Sequence, residues 1–526
     1  MPNQGELPEL AATVLQPGFV GTSAPDWVRR WLADGLGGVA LFARNVESPA
    51  QVAALTAQLR AERPDVIVAI DEEAGDVTRF ESRQGSSRPG NLALGAIDDP
   101  ALTFAVASDL GAELANAGIT LDYAPDTDVN SNPDNPVIGV RAFGAEPHLV
   151  ARHSAAFVRG LQDAGVAACA KHFPGHGDTS VDSHHDVPLI DRDRAELDAC
   201  ELLPFRAAIE AGAQAVMTGH LLVPAFDNKL PATLSHPIMT GLLREELGFQ
   251  GLIVTDGIEM QGVRRRYGLA GATVLALAAG VDAICVGGDN ADEQTAVLLR
   301  NAIVEAVRSG ELGEERLADA AARVRRLGAW ASAAQTRTGA RAIANRAWPI
   351  ADLAAVPKPP NGSAAGVGFE AARRAVRVTI AEGATPLPID RRAHVVEFAP
   401  PRNIAIGAET PWGIGAPLDD LLPGTTSMRL TADDLEGLAD PAAPVLAGAD
   451  GRALVLVARD VHRHPWLAAA LIRVLEARPD AIVVEMGVPV TVLGGVHIAT
   501  YGATRACGLA AAELIAGNRV PAPLAA

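Results

Sequence analysis

Along its first part, up to about residue 330, the chain repeats one pattern: a short apolar run that ends abruptly in polar or charged residues. Val66–Ile70 runs into Asp71, and Leu252–Val254 runs into Thr255 and Asp256. Alanine-rich helical patterns lie between these runs, for example at Ala101–Ala117, His148–Ala164 and Arg194–Ala211. Continuous apolar strands that alternate with helices indicate a parallel sheet buried on both faces.

Eight such runs are candidate strands. They are Phe19–Gly21, Gly38–Phe42, Val66–Ile70, Ile119–Tyr123, Val166–Ala170, Ala215–Met217, Leu252–Val254 and Asp282–Val286. Eight βα units favour a (β/α)₈ TIM-type barrel over an open doubly wound sheet. Because all strand ends of a barrel meet at one face, one pocket should be lined by Asp71, Lys171, His172, His220 and Asp256.

The pattern changes after residue 335, and we predict three segments: a barrel domain 1–335, a linker 336–368 and a second domain 369–526. The linker is rich in Ala, Pro, Gly and Asn. Beyond it, strands are predicted at Val376–Ile380, His394–Phe398, Ala453–Val457 and Ala481–Glu485, with helices at Pro465–Ala477 and Gly502–Ala516. This alternation predicts a three-layer α/β sandwich with a largely parallel sheet.

Composition narrows the class of protein. The 526 residues include 44 Lys and Arg against 63 Asp and Glu, which gives a formal net charge of −19 and argues against a sequence-independent nucleic-acid binder. No apolar run reaches the roughly 18 residues of a membrane span, and the N-terminus lacks a secretory pattern, so we expect a cytoplasmic enzyme without a membrane partner. No disulfide framework is expected, because the spacing of the four cysteines is not paired. They are Cys169, Cys200, Cys285 and Cys507.

The loop that follows Val166–Ala170 carries most of the candidate chemistry. It reads Lys-His-Phe-Pro-Gly-His-Gly from Lys171, then Asp182-Ser-His184. In an extended backbone, residues two apart point to the same side. Asp182 can therefore orient the imidazole of His184 and stabilise its protonated form.

These motifs resemble glycoside hydrolase family 3. The resemblance rests on the Lys171 loop, on Asp71 in Ile-Asp-Glu-Glu-Ala-Gly-Asp, and on Asp256 in Val-Thr-Asp-Gly-Ile-Glu-Met. It extends from about Val20 to near Leu327, and the Asp-Ser-His loop is similar to that of the β-N-acetylglucosaminidase branch.

The resemblance implies a retaining glycosidase that needs no cofactor or metal. Asp256 matches the nucleophile, while His184 with Asp182 matches the acid/base of that branch, where a histidine replaces the usual Glu. Sugar hydroxyls would be bound by Asp71, Arg79, Arg141, Lys171 and His172. The expected substrate is a small saccharide with a terminal β-linked N-acetylglucosamine, derived from the cell wall in peptidoglycan recycling; the oligomeric state stays open.

Two positions depart from the family pattern. Asp76 stands where the segment Asp-Gln-Glu-Gly-Gly-Arg commonly has a basic residue. Gly257 follows Asp256 where a larger residue is common, which would widen the floor of the pocket.

Three alternatives stay open on the residues. A histidine dyad repels an incoming phosphate less than a Glu would, so phosphate could replace water as the acceptor, as in a β-glucoside or β-N-acetylglucosaminide phosphorylase. A degenerate sugar-binding protein is disfavoured because nucleophile, acid/base and orienting Asp are all present. A metal-dependent barrel hydrolase could use His172, His176, His184, His185, Asp182 and Asp256 as ligands, although Lys171 would repel a cation.

Overall fold

The protein forms two compact units that do not simply follow each other along the sequence. The structure is a computed structural model that describes residues 6–179, 187–344, 366–384, 387–401, 403, 405–407 and 409–517. The first unit takes Met1–Glu73, Pro100–Ile138 and Ala142–Pro357, and the second takes Ala74–Asp99, Gly139–Arg141 and Lys358–Ala526. Two segments from within the barrel sequence therefore belong with the C-terminal part of the chain.

The first unit contains eight parallel strands arranged in a ring. They are β1 Leu15–Pro17, β2 Gly38–Leu41, β3 Ile67–Ile70, β4 Leu121–Asp122, β5 Ala167–Phe173, β6 Ala215–Thr218, β7 Leu252–Thr255 and β8 Ile284–Val286. Strands β2 to β7 pair in sequence order, β8 pairs with β1, and a bridge between Val254 and Ala283 joins β7 to the start of β8. Strand β1 packs beside β2, which completes the ring and confirms the predicted barrel.

The first strand lies earlier than predicted. The prediction placed it at Phe19–Gly21, whereas β1 ends at Pro17. Phe19 is fully buried beyond the strand, Val20 is 70% exposed, and Gly21 has a φ of +105°, which an extended strand does not adopt. The apolar pair Phe19–Val20 thus belongs to the loop that follows the strand.

Helices alternate with the barrel strands. They are α1 Glu6–Thr13, α2 Asp26–Ala33, α3 Pro49–Glu62, α5 Pro100–Asn116, α6 Pro147–Asp163, α7 Arg194–Ala199, α8 Leu202–Glu210, α9 Gln261–Ala279, α10 Glu293–Ser309 and α11 Glu314–Ala344, with a π-helix at Pro237–Glu246; α4, Asn91–Ile97, belongs to the second unit. Local signals set their ends: Asp292 caps α10 by accepting the Thr295 N–H at 2.8 Å, and Gly310 ends it with a φ of +82°.

Helix α11 closes one end of the barrel. Its residues Val324 and Leu327 join the core formed by the small inward-facing side chains of the strands. The helix lies against the amino ends of β2 and β3, because Gly37 packs on Val324 and Gly328 packs on Asp65. The polar residues that follow the strands therefore lie at the opposite end of the barrel. Helix α11 also continues into the segment 336–368 predicted as linker, of which residues 345–365 lie outside the described residues.

The second unit is built on one six-stranded sheet. Its strands are β9 Arg377–Ile380, β10 Ala393–Phe398, β11 Thr426–Leu430, β12 Ala453–Ala458, β13 Ile482–Glu485 and β14 Val496–Ala499. They lie in the order β11-β10-β12-β13-β14-β9, and all pairs are parallel except β14 with β9. The largely parallel sheet predicted from the sequence is confirmed.

Helices cover both faces of this sheet. They are α12 Val367–Ala375, α13 Gly415–Leu421, α14 Ala432–Leu435, α15 Ala443–Leu446, α16 Pro465–Ala477 and α17 Arg505–Ala516. Neighbouring strand residues point to opposite faces, so Val395 and Val455 join one core and Val396 and Leu454 join the other. The result is the predicted three-layer α/β sandwich. Among the described residues of the chain, no helix is long and apolar enough to cross a membrane.

Candidate active site

A buried lysine organises the residues at the carboxyl ends of β3 and β5. The Lys171 side chain is only 2% exposed, and its Nζ donates to the Asp71 carboxylate and, at 2.7 Å, to Glu73 Oε1. Asp71 and Glu73 follow β3 directly, whereas Lys171 lies within β5. Asp71 keeps about a quarter of its side chain exposed, so its carboxylate can still reach a ligand while the ammonium group holds it in place.

His172 is held by another buried carboxylate, that of Asp128. Its Nδ1 lies 2.8 Å from Asp128 Oδ2, and Asp128 Oδ1 accepts the His176 N–H at 2.7 Å. Burial acts to raise the pKa of Asp128, yet His172 and His176 hold that pKa below its ordinary value. Asp128 therefore fixes the Nδ1 edge of the His172 ring and the backbone at His176. His176 shapes the loop, as its place between two glycines predicts.

Asp256 follows β7 and is held through its own backbone. The Gly257 N–H donates to Asp256 Oδ1 at 2.7 Å, and the Asp256 N–H donates to the Thr218 carbonyl at 3.3 Å. The buried His220 places Nε2 3.0 Å from the Gly257 carbonyl and Nδ1 2.8 Å from Thr233 Oγ1. His220 thus fixes the turn that carries Asp256.

A further carboxylate, that of Glu259, lies in the same turn as Asp256 and ties this turn to the loop after β8. Its Oε1 accepts the backbone N–H groups of Gly287, at 2.9 Å, and Gly288. Arg44 holds the other side of that loop by donating to the Gly287 and Gly288 carbonyls. Burial raises the pKa of Glu259, and the nearby Asp256 raises it further.

The start of the histidine loop is anchored before it leaves the described part of the chain. Asn135 Nδ2 donates to the His176 carbonyl at 2.9 Å and to the Gly177 carbonyl at 3.1 Å. A Cβ at Gly177 would lie 1.6 Å from the Val129 carbonyl oxygen, so only glycine fits here. On either side of residues 180–186, Asp178 and Arg192 form an ion pair of 2.5 Å.

The predicted dyad itself lies in that interval. Asp182 and His184, together with His185, lie outside the described residues. Their roles therefore stay predictions.

The two predicted substrate-binding arginines belong to the second unit. Arg79 lies in the segment Ala74–Asp99 and Arg141 in Gly139–Arg141. Arg141 is buried, and its carbonyl accepts from Asn91 Nδ2 at 2.7 Å. Arg79 is half-buried between Thr78 and Phe80, which are both buried.

One group of described residues has the spacing of a metal site. Ligand atoms of Asp126, Asp128 and His172 lie within 4.8 Å of one another. Of these only His172 was in the predicted metal set. Both Asp128 oxygens already accept hydrogen bonds from the backbone of the loop, so the group fits a hydrogen-bonding role for the loop after β5.

Sequence reasoning missed Asp128, Glu73 and Glu259. The signal for Asp128 was present, because Asp126-Thr-Asp128 follows the predicted strand Ile119–Tyr123 just as Asp71 follows β3. Glu73 is two residues beyond Asp71 and therefore on its side of an extended chain. Nothing in the sequence distinguishes Glu259 from a surface Glu at the start of a helix.

Comparison with known proteins gives the family of this fold and site. The profile of the Glycosyl hydrolase family 3 N terminal domain matches residues 14–327. Beta-hexosaminidase A of Pseudoalteromonas piscicida is 38% identical over 316 residues, which are 56% of this chain and 53% of that protein. Beta-hexosaminidase of Nitrosomonas eutropha is 39% identical over 286 residues, 52% of this chain and 81% of that protein.

A solved structure is similar over both units. The glycoside hydrolase family 3 beta-N-acetylglucosaminidase from Paenibacillus sp. str. FPU-7 is 33% identical, with a TM-score of 0.82 over 98% of this chain and 97% of that one. The profile match covers the barrel and its strand-end residues, which confirms the resemblance inferred from the motifs. The chain belongs to glycosyl hydrolase family 3.

Proposed function

We propose that the protein is a retaining β-N-acetylglucosaminidase that removes terminal β-linked N-acetylglucosamine from cell-wall-derived saccharides. The observation that carries the proposal is the buried Lys171, pinned between Asp71 and Glu73 at the same end of the barrel as Asp256. This arrangement offers fixed donors and acceptors for sugar hydroxyls beside a carboxylate. The name of the Paenibacillus relative, a beta-N-acetylglucosaminidase, supports the choice of N-acetylglucosamine, and the name of the Pseudoalteromonas relative supports a hexosaminidase.

In the first step, the Asp256 carboxylate attacks the anomeric carbon as the glycosidic bond breaks. A glycosyl ester forms on Asp256, and the leaving oxygen takes a proton from the His184 imidazolium. The N–H of Gly257 keeps the attacking carboxylate oriented. Asp71, Lys171, His172, Arg79 and Arg141 bind the sugar hydroxyls in this proposal.

In the second step, neutral His184 takes a proton from a water molecule, which attacks the same carbon and releases Asp256. Each step inverts the configuration of the anomeric carbon, so the product has the configuration of the substrate. Asp182 orients the imidazole and stabilises its protonated form in both steps. We place the reaction in the cytoplasm, where saccharides from wall turnover would be recovered.

The proposal is tested with 4-nitrophenyl β-N-acetylglucosaminide. We expect turnover by the unaltered protein, release of the β-anomer first by NMR, and no turnover by Asp256→Ala, because the covalent intermediate cannot form. The exposed Asp34→Ala in the same unit is the control and should keep full activity.

Two further measurements distinguish a hydrolase of this kind from a phosphorylase and from a metal-dependent hydrolase. A sugar 1-phosphate produced only when phosphate is present would assign a phosphorylase. Activity that disappears after chelation and returns with a divalent metal would assign the metal-dependent class. An α-anomer as first product would overturn the double displacement.

A further inference from the structure

Asp76, which replaces the family's basic residue, is held at two points within the second unit. One carboxylate oxygen forms an ion pair with Arg459, and the other accepts the Ala503 N–H at 2.8 Å. The Asp76 side chain is 2% exposed and the Arg459 side chain 11% exposed. The reversal of charge at position 76 is therefore matched by a cation from the C-terminal sheet.

The geometry explains why a short carboxylate stands here. Arg459 follows β12 directly, and Ala503 lies just before α17. The amino end of a helix presents free N–H groups and favours a negative charge. A larger basic residue in place of Asp76 would meet the Arg459 guanidinium and the positive end of α17.

Further contacts hold the rest of the same segment on α17. Glu81 Oε1 accepts from Arg505 Nη2 at 3.0 Å, and the Ala506 N–H donates to the Ser86 carbonyl at 3.2 Å. Cys507 Sγ lies 3.6 Å from the Pro89 carbonyl. Residues 76–89 are thus held on the first turn of α17 by several contacts within the second unit.

Arg79 lies between the two ion-paired carboxylates, Asp76 and Glu81. Its neighbours Val77, Thr78 and Phe80 are buried, so the backbone at Arg79 has little freedom. A lateral shift of the segment at Asp76 would therefore carry the Arg79 guanidinium with it.

We propose that Arg459 is a positioning residue for substrate binding, which acts by holding the Arg79 segment through Asp76. The inference rests on the proposed function, in which Arg79 binds the N-acetylglucosamine. It assigns the C-terminal sandwich a part in sugar affinity although none of its sheet residues needs to touch the sugar.

The test is a double-mutant cycle on the full chain with 4-nitrophenyl β-N-acetylglucosaminide. We expect Arg459→Met to raise KM about tenfold with a smaller change in kcat, since a displaced Arg79 weakens binding of substrate and transition state alike. In an Arg79→Met background, the same substitution should leave KM unchanged, because its effect passes through Arg79. Asp76→Asn keeps one acceptor oxygen but places an NH2 group opposite the other donor, so it should raise KM by an intermediate factor of about threefold.

Arg373→Met is the matched control. Arg373 forms a two-bonded ion pair with Glu513, of 2.6 and 2.8 Å, on the other part of α17. We expect it to lower the melting temperature without raising KM. The inference is overturned if Arg459→Met leaves KM unchanged, or if its effect persists in full without Arg79. Turnover by the unaltered protein is measured first, so that absence of activity counts against the proposed function and not against this cycle.

Discussion

At the scale of single residues, the burial of Lys171 makes a substitution of this residue difficult to interpret. Its ammonium group is the charge partner of Asp71 and Glu73, and it is almost completely buried. Removing one partner of a buried ion pair costs about 3–5 kcal/mol of stability. A Lys171→Met variant would therefore lose folding free energy in addition to the sugar contact proposed for Lys171, whereas Asp256, which is only partly buried, permits a cleaner test.

His184 should matter most for substrates whose leaving group needs a proton. We expect His184→Ala to slow hydrolysis of a natural disaccharide by about 10²–10⁴-fold more than that of a dinitrophenyl glycoside. Asp182→Ala should show a milder version of the same profile, because the imidazole remains. Steady-state kinetics over a series of leaving groups measures this difference. Equal losses across the series would place the acid/base on another residue.

Glu259 should support the turn that carries Asp256. Truncation to Ala removes the acceptor for the Gly287 and Gly288 N–H groups, and we expect kcat/KM to fall about tenfold or more. Glu259→Gln keeps an acceptor and should retain most activity, because the raised pKa of Glu259 favours its neutral form. If Gln were as damaging as Ala, the negative charge of Glu259 would be required instead.

The sequence predicted the residues whose position follows from a strand end. Asp71, Lys171 and Asp256 all come directly after or within an apolar run, and Asp128 could have been found by the same rule. The partner of Asp76 could not, because Arg459 lies 383 positions away and no local pattern links the two.

At the scale of elements, the sequence predicted four strands of the second sheet, including the edge strand β9, and missed two others. Val395 and Leu456 lie in strands buried on both faces, so their runs are continuously apolar. Strand β11, Thr426–Leu430, was missed because it is the exposed edge of the sheet and carries Thr, Ser and Arg. Strand β14 was missed because only four residues, interrupted by His497, follow the Gly494-Gly495 turn.

Glu485, at the end of β13, should make the stability of the protein depend on pH. It is buried, accepts the N–H groups of Asp460 and Gly487, and burial with the charge of Asp460 raises its pKa from 4.5 to about 7. The folded protein therefore holds this proton more tightly than the unfolded chain. Stability from this group is complete below pH 4.5 and is lost as the pH rises to about 7.

Glu485→Gln should remove this pH dependence. We expect the unaltered protein to lose about 3 kcal/mol of unfolding free energy through this group between pH 4.5 and 7, and the Gln variant to keep it. Denaturant unfolding across that range measures the difference. The exposed Glu436→Gln serves as control and should follow the unaltered protein. Parallel curves for Glu485→Gln and the unaltered protein would mean that folding does not raise the pKa of Glu485.

At the scale of the whole molecule, the cooperative units should follow contacts rather than sequence order. Segment 74–99 belongs with the C-terminal sandwich, while 100–138 belongs with the barrel. In native-state hydrogen exchange, we expect Arg459→Met to speed exchange in peptides from 74–99 and to leave those from 100–138 unchanged. The reason is that the substitution leaves the buried Asp76 carboxylate without its cation.

The same measurement can contradict this division. If peptides from 74–99 exchanged in step with β3 in every variant, the segment would open with the barrel. Arg373→Met again provides the comparison, because it weakens α17 without touching Asp76.

The second unit contains a segment from within the barrel sequence, and this arrangement constrains how genes for such a chain can recombine. A recombination event within residues 336–368 would join the barrel sequence of one ancestor to the sandwich of another. The descendant would receive Asp76 from one parent and position 459 from the other, and a mismatch would bury an unpaired charge. Among two-domain relatives, the acidic residue at position 76 and the arginine at position 459 should therefore be lost and gained together, although they lie far apart in the sequence.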